Sequence, residues 1–240
     1  MNSFLFLIIG FVLLYFGGEL LVKGSVNLSS KLNISKLVAG MTIVSFATSS
    51  PELFVSIEAI FNESSDIVLG NIIGSNIANI ALVLGCTALF FNVKISEKTS
   101  KIDYPFLFFA TISVGYILYF LGEITFFIGV ILLMILLAYL FYILSNSKEQ
   151  INNEANNLDE IKKGSFLSCF FFIILGIGLL KFGADFLVSS AIDIALLFNI
   201  QERIIAVTVV AIGTSVPELA TSIVAALKKE VDLAVGNIVG

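Results

Sequence analysis

Shifted by 166 residues, this sequence aligns with itself. FGGELLV at 16–22 falls on FGADFLV at 182–188, Asn33-Ile34 on Asn199-Ile200, and Thr42 on Thr208. TSSPEL at 48–53 falls on TSVPEL at 214–219, and DIVLGNIIG at 66–74 on DLAVGNIVG at 232–240. One offset, held without a gap across all these blocks, reads as an internal duplication. Any fold for this chain must therefore build the same substructure twice.

The solvent for those substructures is lipid. Hydrophobic residues make up 58% of the 240 residues, charged residues 13%, and the mean hydropathy is +1.05. A soluble domain is about half apolar and about a quarter charged. A membrane helix needs about 20 apolar residues. Stretches near 3–22, 36–61, 67–91, 104–121, 124–145, 165–187 and 203–227 meet that need, and an eighth starts near 232. Without a basic leader or a clear cleavage site, residues 4–22 read as a retained first span. The fold class is all-α integral membrane, with about seven spans and the start of an eighth.

The 166-residue period contains five of these spans. An odd number turns the second copy upside down, so the halves form an inverted repeat, a common plan for secondary transporters. The expected organisation is a first half at 1–145, a polar cytoplasmic loop at 146–164 and an incomplete second half at 165–240. Eleven of the thirteen basic residues fall in the connections that follow spans one, three, five and seven. The positive-inside rule then places those connections in the cytoplasm and the N-terminus outside. Glu19 and Asp185, at matching places in the first span of each half, are placed to pair with Lys23 and Lys181 near helix ends, or else to guide ions.

The duplicated segment carries the chemistry. Glu52 and Glu218 lie deep in spans, where one charge costs about 2.5–3.5 kcal/mol on insertion scales. Pro51 and Pro217 precede them and disrupt the bonds to the carbonyls of Ala47 and Gly213. Freed carbonyls are tolerated in a membrane where they line a cavity or bind something. Thr48, Ser49, Thr214 and Ser215 add hydroxyls on the same turns. In the next span Gly70 and Gly74 admit a close helix neighbour. Asn71, Ser75 and Asn79 recur every four residues on one face, and Asn237 repeats Asn71. This is a set of hard oxygen donors with two negative charges, suited to Ca2+ and usable by Na+. Soft-metal ligation needs His or Cys. The chain has no His, and Cys86 and Cys169 are isolated in apolar stretches. Neither an enzyme nor a cofactor is implied, and neither nucleic acid nor a protein partner. The lipid bilayer and the ions are the expected partners.

At these residues the chain resembles the cation/calcium exchanger superfamily. ATSSPE at 47–52 with GNIIGSNIAN at 70–79, and GTSVPE at 213–218 with GNIVG at 236–240, look like its two alpha repeats, closest to prokaryotic Na+/Ca2+ exchangers. The resemblance implies ten transmembrane helices in two inverted five-helix halves and a multi-pass protein of the plasma membrane (the inner membrane in a Gram-negative cell). It implies Glu52 and Glu218 as the main Ca2+ ligands. Thr48, Ser49, Thr214, Ser215, Ser75 and Asn79 would serve the Na+ and Ca2+ sites. Ala47 stands where the pattern usually has Gly. A complete second half would extend about seventy residues beyond Gly240, so the sequence reads as C-terminally truncated. The expected activity is Na+/Ca2+ antiport by alternating access. H+/Ca2+ or K+-dependent Na+/Ca2+ antiport is the near alternative. A non-transporting membrane subunit or inactive fragment is the alternative from another class.

Overall fold

The computed structural model describes residues 2–62, 65–93, 95–97, 99–154, 165–200 and 213–239, and these residues are almost entirely helical. In order, the helices are α1 (Asn2–Leu32), α2 (Lys36–Thr48), α3 (Ser50–Phe61) and α4 (Ser65–Ala78). A π-helical turn, Asn79–Leu84, carries α4 into α5 (Gly85–Phe90). Then come α6 (Tyr104–Leu121), α7 (Phe126–Glu154), α8 (Phe166–Leu197), α9 (Val216–Leu227) and α10 (Val231–Val239). Among the described residues, five helical spans are long and apolar enough to cross a membrane, and the bent pair α2–α3 makes a sixth. The outer faces of α6 and α7 leave Phe108, Phe109, Tyr119 and Phe141 exposed, as lipid-facing surfaces do.

The core is the crossing of α1 and α8, which run antiparallel along their whole length. Ser3 donates to Asp193 at one end, Lys31 lies over the Phe166 ring at the other, and Phe6 stacks on Phe186. Between these points glycines every seven residues let the backbones touch. A Cβ on Gly10 would lie 3.0 Å from the Gly183 carbonyl oxygen, and one on Gly17 would lie 2.8 Å from Leu180 N. A Cβ on Gly176 would lie 2.8 Å from Leu21 N, and one on Gly24 3.0 Å from the Cys169 carbonyl oxygen. Small residues at such spacing are how membrane helices gain van der Waals contact without a hydrophobic driving force. The offset maps Gly10 onto Gly176 and Gly17 onto Gly183, so the two contacts exchange places under the repeat.

Both core helices end in the same way. Asn33 (φ 52°) and Asn199 (φ 56°) adopt the left-handed conformation. Ile34 N donates to Ser29 O at 3.0 Å and Ile200 N to Ala195 O at 3.1 Å. Each is the closing hydrogen bond of a Schellman C-cap.

Four expectations change. The first span continues to Leu32, so Lys23 and Lys31 belong to α1 and not to a loop. The segment expected as a loop from 146 is helical as far as Glu154, because its Asn, Ser, Lys, Glu and Gln residues extend an already nucleated helix. The rest of that loop (155–164) and the start of the 203–227 span (203–212) lie outside the described residues. Gly70 and Gly74 face open space among the described residues. The close approach falls instead at Gly10, Gly17, Gly24, Gly176 and Gly183, and where Gly40 meets Gly236. Finally, Glu19 pairs with Lys228 Nζ at 2.6 Å, while Lys23 lies over the Phe172 ring. The long Lys228 side chain reaches α1 from the end of α9, and an aromatic face takes up Lys23.

Candidate ion-binding site

Two helix breaks build the site. The α2–α3 pair bends by 44° at Ser49, whose backbone (φ −84°, ψ 5°) is not helical. Ser215 has nearly the same conformation (φ −91°, ψ 5°) at the start of α9. In both cases a proline occupies the first turn of the following helix, with Glu52 or Glu218 in that turn. Proline is tolerated there because its missing N–H would have no intrahelical partner. A carboxylate in the first turn also meets the positive end of the helix dipole. The sequence Thr-Ser-x-Pro-Glu therefore breaks a helix and starts a new one with an acid at its head. A π-helical stretch, Gly40–Val44, precedes the first break, and the π-helical turn carrying Asn79 faces the second.

The breaks meet. The end of α2 packs against α9 and α10, and the Asn79–Leu84 turn also packs against both. Ser49 Oγ donates to Glu218 Oε1 at 3.1 Å, and Thr48 Oγ1 donates to Asn237 Oδ1 at 3.1 Å. Glu218 is 1% exposed, and the two carboxylates interact electrostatically. Four buried oxygens in this region, Glu52 Oε2, Glu218 Oε2, Asn79 Oδ1 and Ser215 Oγ, have no hydrogen-bond partner among the described residues. An unsatisfied buried polar atom costs about 1–3 kcal/mol, and more when charged. Two acids and two neutral oxygens of this kind are the donor type that a hard cation satisfies.

The predicted site residues are not equally drawn in. Ser49 reaches Glu218, Thr48 reaches Asn237, Glu52 and Glu218 interact, and Asn79 and Ser215 lie on the segments that pack around them. Ala47 and Gly213 are buried beside the breaks, and Thr214 is half-buried at the second one. Ser75 turns its hydroxyl back to the Ile72 carbonyl at 3.1 Å. Asn71 and Asn237 hold backbone. Asn71 Nδ2 donates to Glu52 O and Ser56 Oγ, both at 3.0 Å. Asn237 Nδ2 donates to Glu218 O at 3.3 Å and Ser222 Oγ at 2.9 Å. The two serines were missed in the sequence, although both follow their Glu by one helical turn at the same repeat offset. Among the described residues no group of three or more His, Cys, Asp or Glu forms, so neutral oxygens must complete any cation site here.

The sequence model of the family described as sodium/calcium exchanger protein matches residues 2–145 and 168–240. The chain belongs to that family. It is 34% identical over 242 residues to the putative antiporter CaxA of Alkalimonas amylolytica, covering 98% of this chain and 75% of that protein. It is 29% identical to the sodium/calcium exchanger MaX1 of Methanosarcina acetivorans, covering 99% of this chain and 78% of the relative. The solved sodium-calcium exchanger NCX_Mj, soaked with Na+ and Ca2+, superposes with a TM-score of 0.82 at 29% identity, over 100% of this chain and 76% of the other. As a member of the sodium/calcium exchanger family, the chain is a multi-pass membrane transporter of the cation/Ca2+ antiporter type and not an enzyme.

Proposed function

We propose that this exchanger-family chain swaps Na+ for Ca2+ across the plasma membrane, by alternating access at a site shared between Glu52 and Glu218. One observation carries the reading. Glu52 and Glu218, one from each repeat copy, lie near enough to interact electrostatically, Ser49 of the first copy donates to Glu218 of the second, and the turn that carries Asn79 packs on α9. Several Na+ ions or one Ca2+ neutralise the two acids, but not both kinds at once. The bare site holds two charges in a low-dielectric setting and stays put, so exchange is obligatory.

The packing around the half-helices supports alternating access. On one side α1 lies against α9, where a Cβ on Gly18 would touch Val224 at 3.3 Å, and Glu19 grips Lys228. On the other side α3 leaves Leu53 and Phe54 exposed, at 48% and 68%. With the basic connections in the cytoplasm, the Glu19–Lys228 clasp lies at the cytoplasmic end, and the exposed Leu53 and Phe54 are apolar surface of the kind that faces lipid.

The test is Ca2+ uptake into vesicles containing the full chain and loaded with Na+. Uptake is expected to need the Na+ gradient and to be lost in Glu52→Gln and in Glu218→Gln. Uptake that persists in either variant sinks the paired-acid site. A K+-dependent variant of the same exchange has its own support, since the chain is 40% identical over 72 residues to the sodium/potassium/calcium exchanger 2 of Gallus gallus. Omitting K+ from both sides separates the two. Replacing the Na+ gradient with a pH gradient separates both from H+/Ca2+ exchange.

A further inference from the structure

We infer that Asn71 and Asn237 are positioning residues, each fixing a site glutamate through its backbone, and that Asn237 also joins the two repeat copies through Thr48. The inference rests on the exchange reading above and adds a role that ligation does not describe. An asparagine amide offers two N–H donors and one carbonyl acceptor. In both copies the nitrogen faces the carbonyl of the site Glu and the hydroxyl of the Ser one turn later, at 3.0 and 3.0 Å for Asn71 and at 3.3 and 2.9 Å for Asn237. A backbone carbonyl only accepts, so the amide cannot be turned the other way round without placing oxygen against oxygen. The orientation is dictated by the partners.

That orientation has two consequences. First, α3 is tied to α4, and α9 to α10, at the residue that bears the carboxylate. Each half-helix and its successor then hold the acid as one rigid piece, through a side chain that is 3% exposed in the second copy. Second, the Asn237 oxygen is aimed at Thr48, which donates to it at 3.1 Å. The Thr48 hydroxyl, which also lies 3.3 Å from the Ser45 carbonyl oxygen, takes up one of the two lone pairs of that amide oxygen. Asn237 thus touches three partners: the Glu218 carbonyl, the Ser222 hydroxyl and the Thr48 hydroxyl of the other copy. Displacing Glu218 by even a fraction of an ångström would disturb the oxygen spacing that Ca2+ requires.

The test uses the purified full chain with Asn71→Ala, Asn237→Ala, Asn237→Asp, Ser222→Ala and the Asn237→Ala/Ser222→Ala double variant. Two quantities are read: equilibrium binding of Ca2+ and of Na+, and hydrogen–deuterium exchange of peptides covering 50–56 and 216–222. Positioning predicts that Asn237→Ala weakens Ca2+ and Na+ together by about tenfold or more. Ser222→Ala weakens both several-fold and adds nothing in the Asn237→Ala background, because the two share one interaction. Asn237→Asp does not rescue, since a carboxylate has no hydrogen to donate to the Glu218 carbonyl. Exchange at 216–222 quickens with no ion present, and Asn71→Ala has the same effect at 50–56.

Tighter Ca2+ binding in Asn237→Asp would mark a ligand and overturn the inference. So would additive effects of Asn237→Ala and Ser222→Ala, or unchanged hydrogen exchange in the alanine variants. If the unsubstituted chain binds neither ion, the exchange reading fails, and the hydrogen-exchange comparison still decides the positioning role.

Discussion

Ser49 Oγ donates to Glu218 Oε1 at 3.1 Å, while Ser215, its counterpart in the second copy, has a fully buried Oγ with no hydrogen-bond partner among the described residues. Equivalent residues of the duplication therefore stand in different states. Removing a made hydrogen bond and removing an unmade one have different costs. Ser215→Ala is expected to leave thermal stability unchanged or slightly raised, since it removes an unsatisfied polar atom, and to weaken cation binding. Ser49→Ala is expected to cost about 1–3 kcal/mol of stability, because it strips a partner from a buried carboxylate. Comparing thermal unfolding with Ca2+ binding for the two variants checks both statements.

The contact between Gly17 and Gly176 admits no side chain. The atoms nearest a Cβ at Gly176 are main-chain atoms of Gly17 and Leu21, so relief means separating two helices, not turning a rotamer. Gly176→Ala and Gly17→Ala are each expected to cost about 1–3 kcal/mol, the usual range for overpacking. Gly178→Ala, on the same helix but with open space around it, is the matched control and should be neutral or mildly stabilising. Unfolding can be followed by thiol labelling, because Cys169 is fully buried beneath this crossing.

Asn33 and Asn199 hold φ values of 52° and 56° at the ends of α1 and α8. The left-handed conformation costs most residues about 1–2 kcal/mol, and a β-branched one more. Asn33→Val and Asn199→Val should each lower stability by at least about 1 kcal/mol, while Asn33→Gly should be neutral or better. Melting temperatures of the four proteins decide this.

Glu19 and Lys228 join α1 to the end of α9 at 2.6 Å, and Lys36 joins Glu230 at 2.7 Å nearby. The repeat places Asp185 and Asn62 where Glu19 and Lys228 stand, and an amide cannot form an ion pair with Asp185. The Glu19–Lys228 clasp is therefore not repeated by its counterparts Asp185 and Asn62. Breaking a partly exposed pair changes stability by about 0.2–1 kcal/mol. Glu19→Gln is thus expected to leave unfolding nearly unchanged, while altering the rate of Na+-driven Ca2+ uptake by up to several-fold, with equilibrium Ca2+ affinity intact. A matching change in Lys228→Gln, and none beyond it in the double variant, would establish the pair as the cause.

Much of this molecule was legible before any coordinates. The helix breaks fall where Pro51 and Pro217 put them, because proline acts on its own turn and needs no tertiary help. The all-helical membrane class followed from apolar runs that have to satisfy every backbone group internally. The cap positions Asn33 and Asn199 appeared in the self-alignment, although their left-handed backbone did not. What the sequence could not determine was the partner of each side chain. Glu19 looked bound for Lys23, one turn away, yet the ammonium of Lys228 reaches it across more than two hundred residues of chain. Among the described residues no close approach falls at Gly70 or Gly74, while the heptad-spaced Gly10, Gly17 and Gly24 make one. Asn71 and Asn237 looked like extra oxygen ligands. Only the packing of α3 on α4 and of α9 on α10 turned their amide hydrogens onto the glutamate backbones. Local rules fix where a chain bends and which residues face lipid. Which distant group satisfies a buried donor or charge depends on how whole helices cross, and that is decided by the summed contacts of the fold.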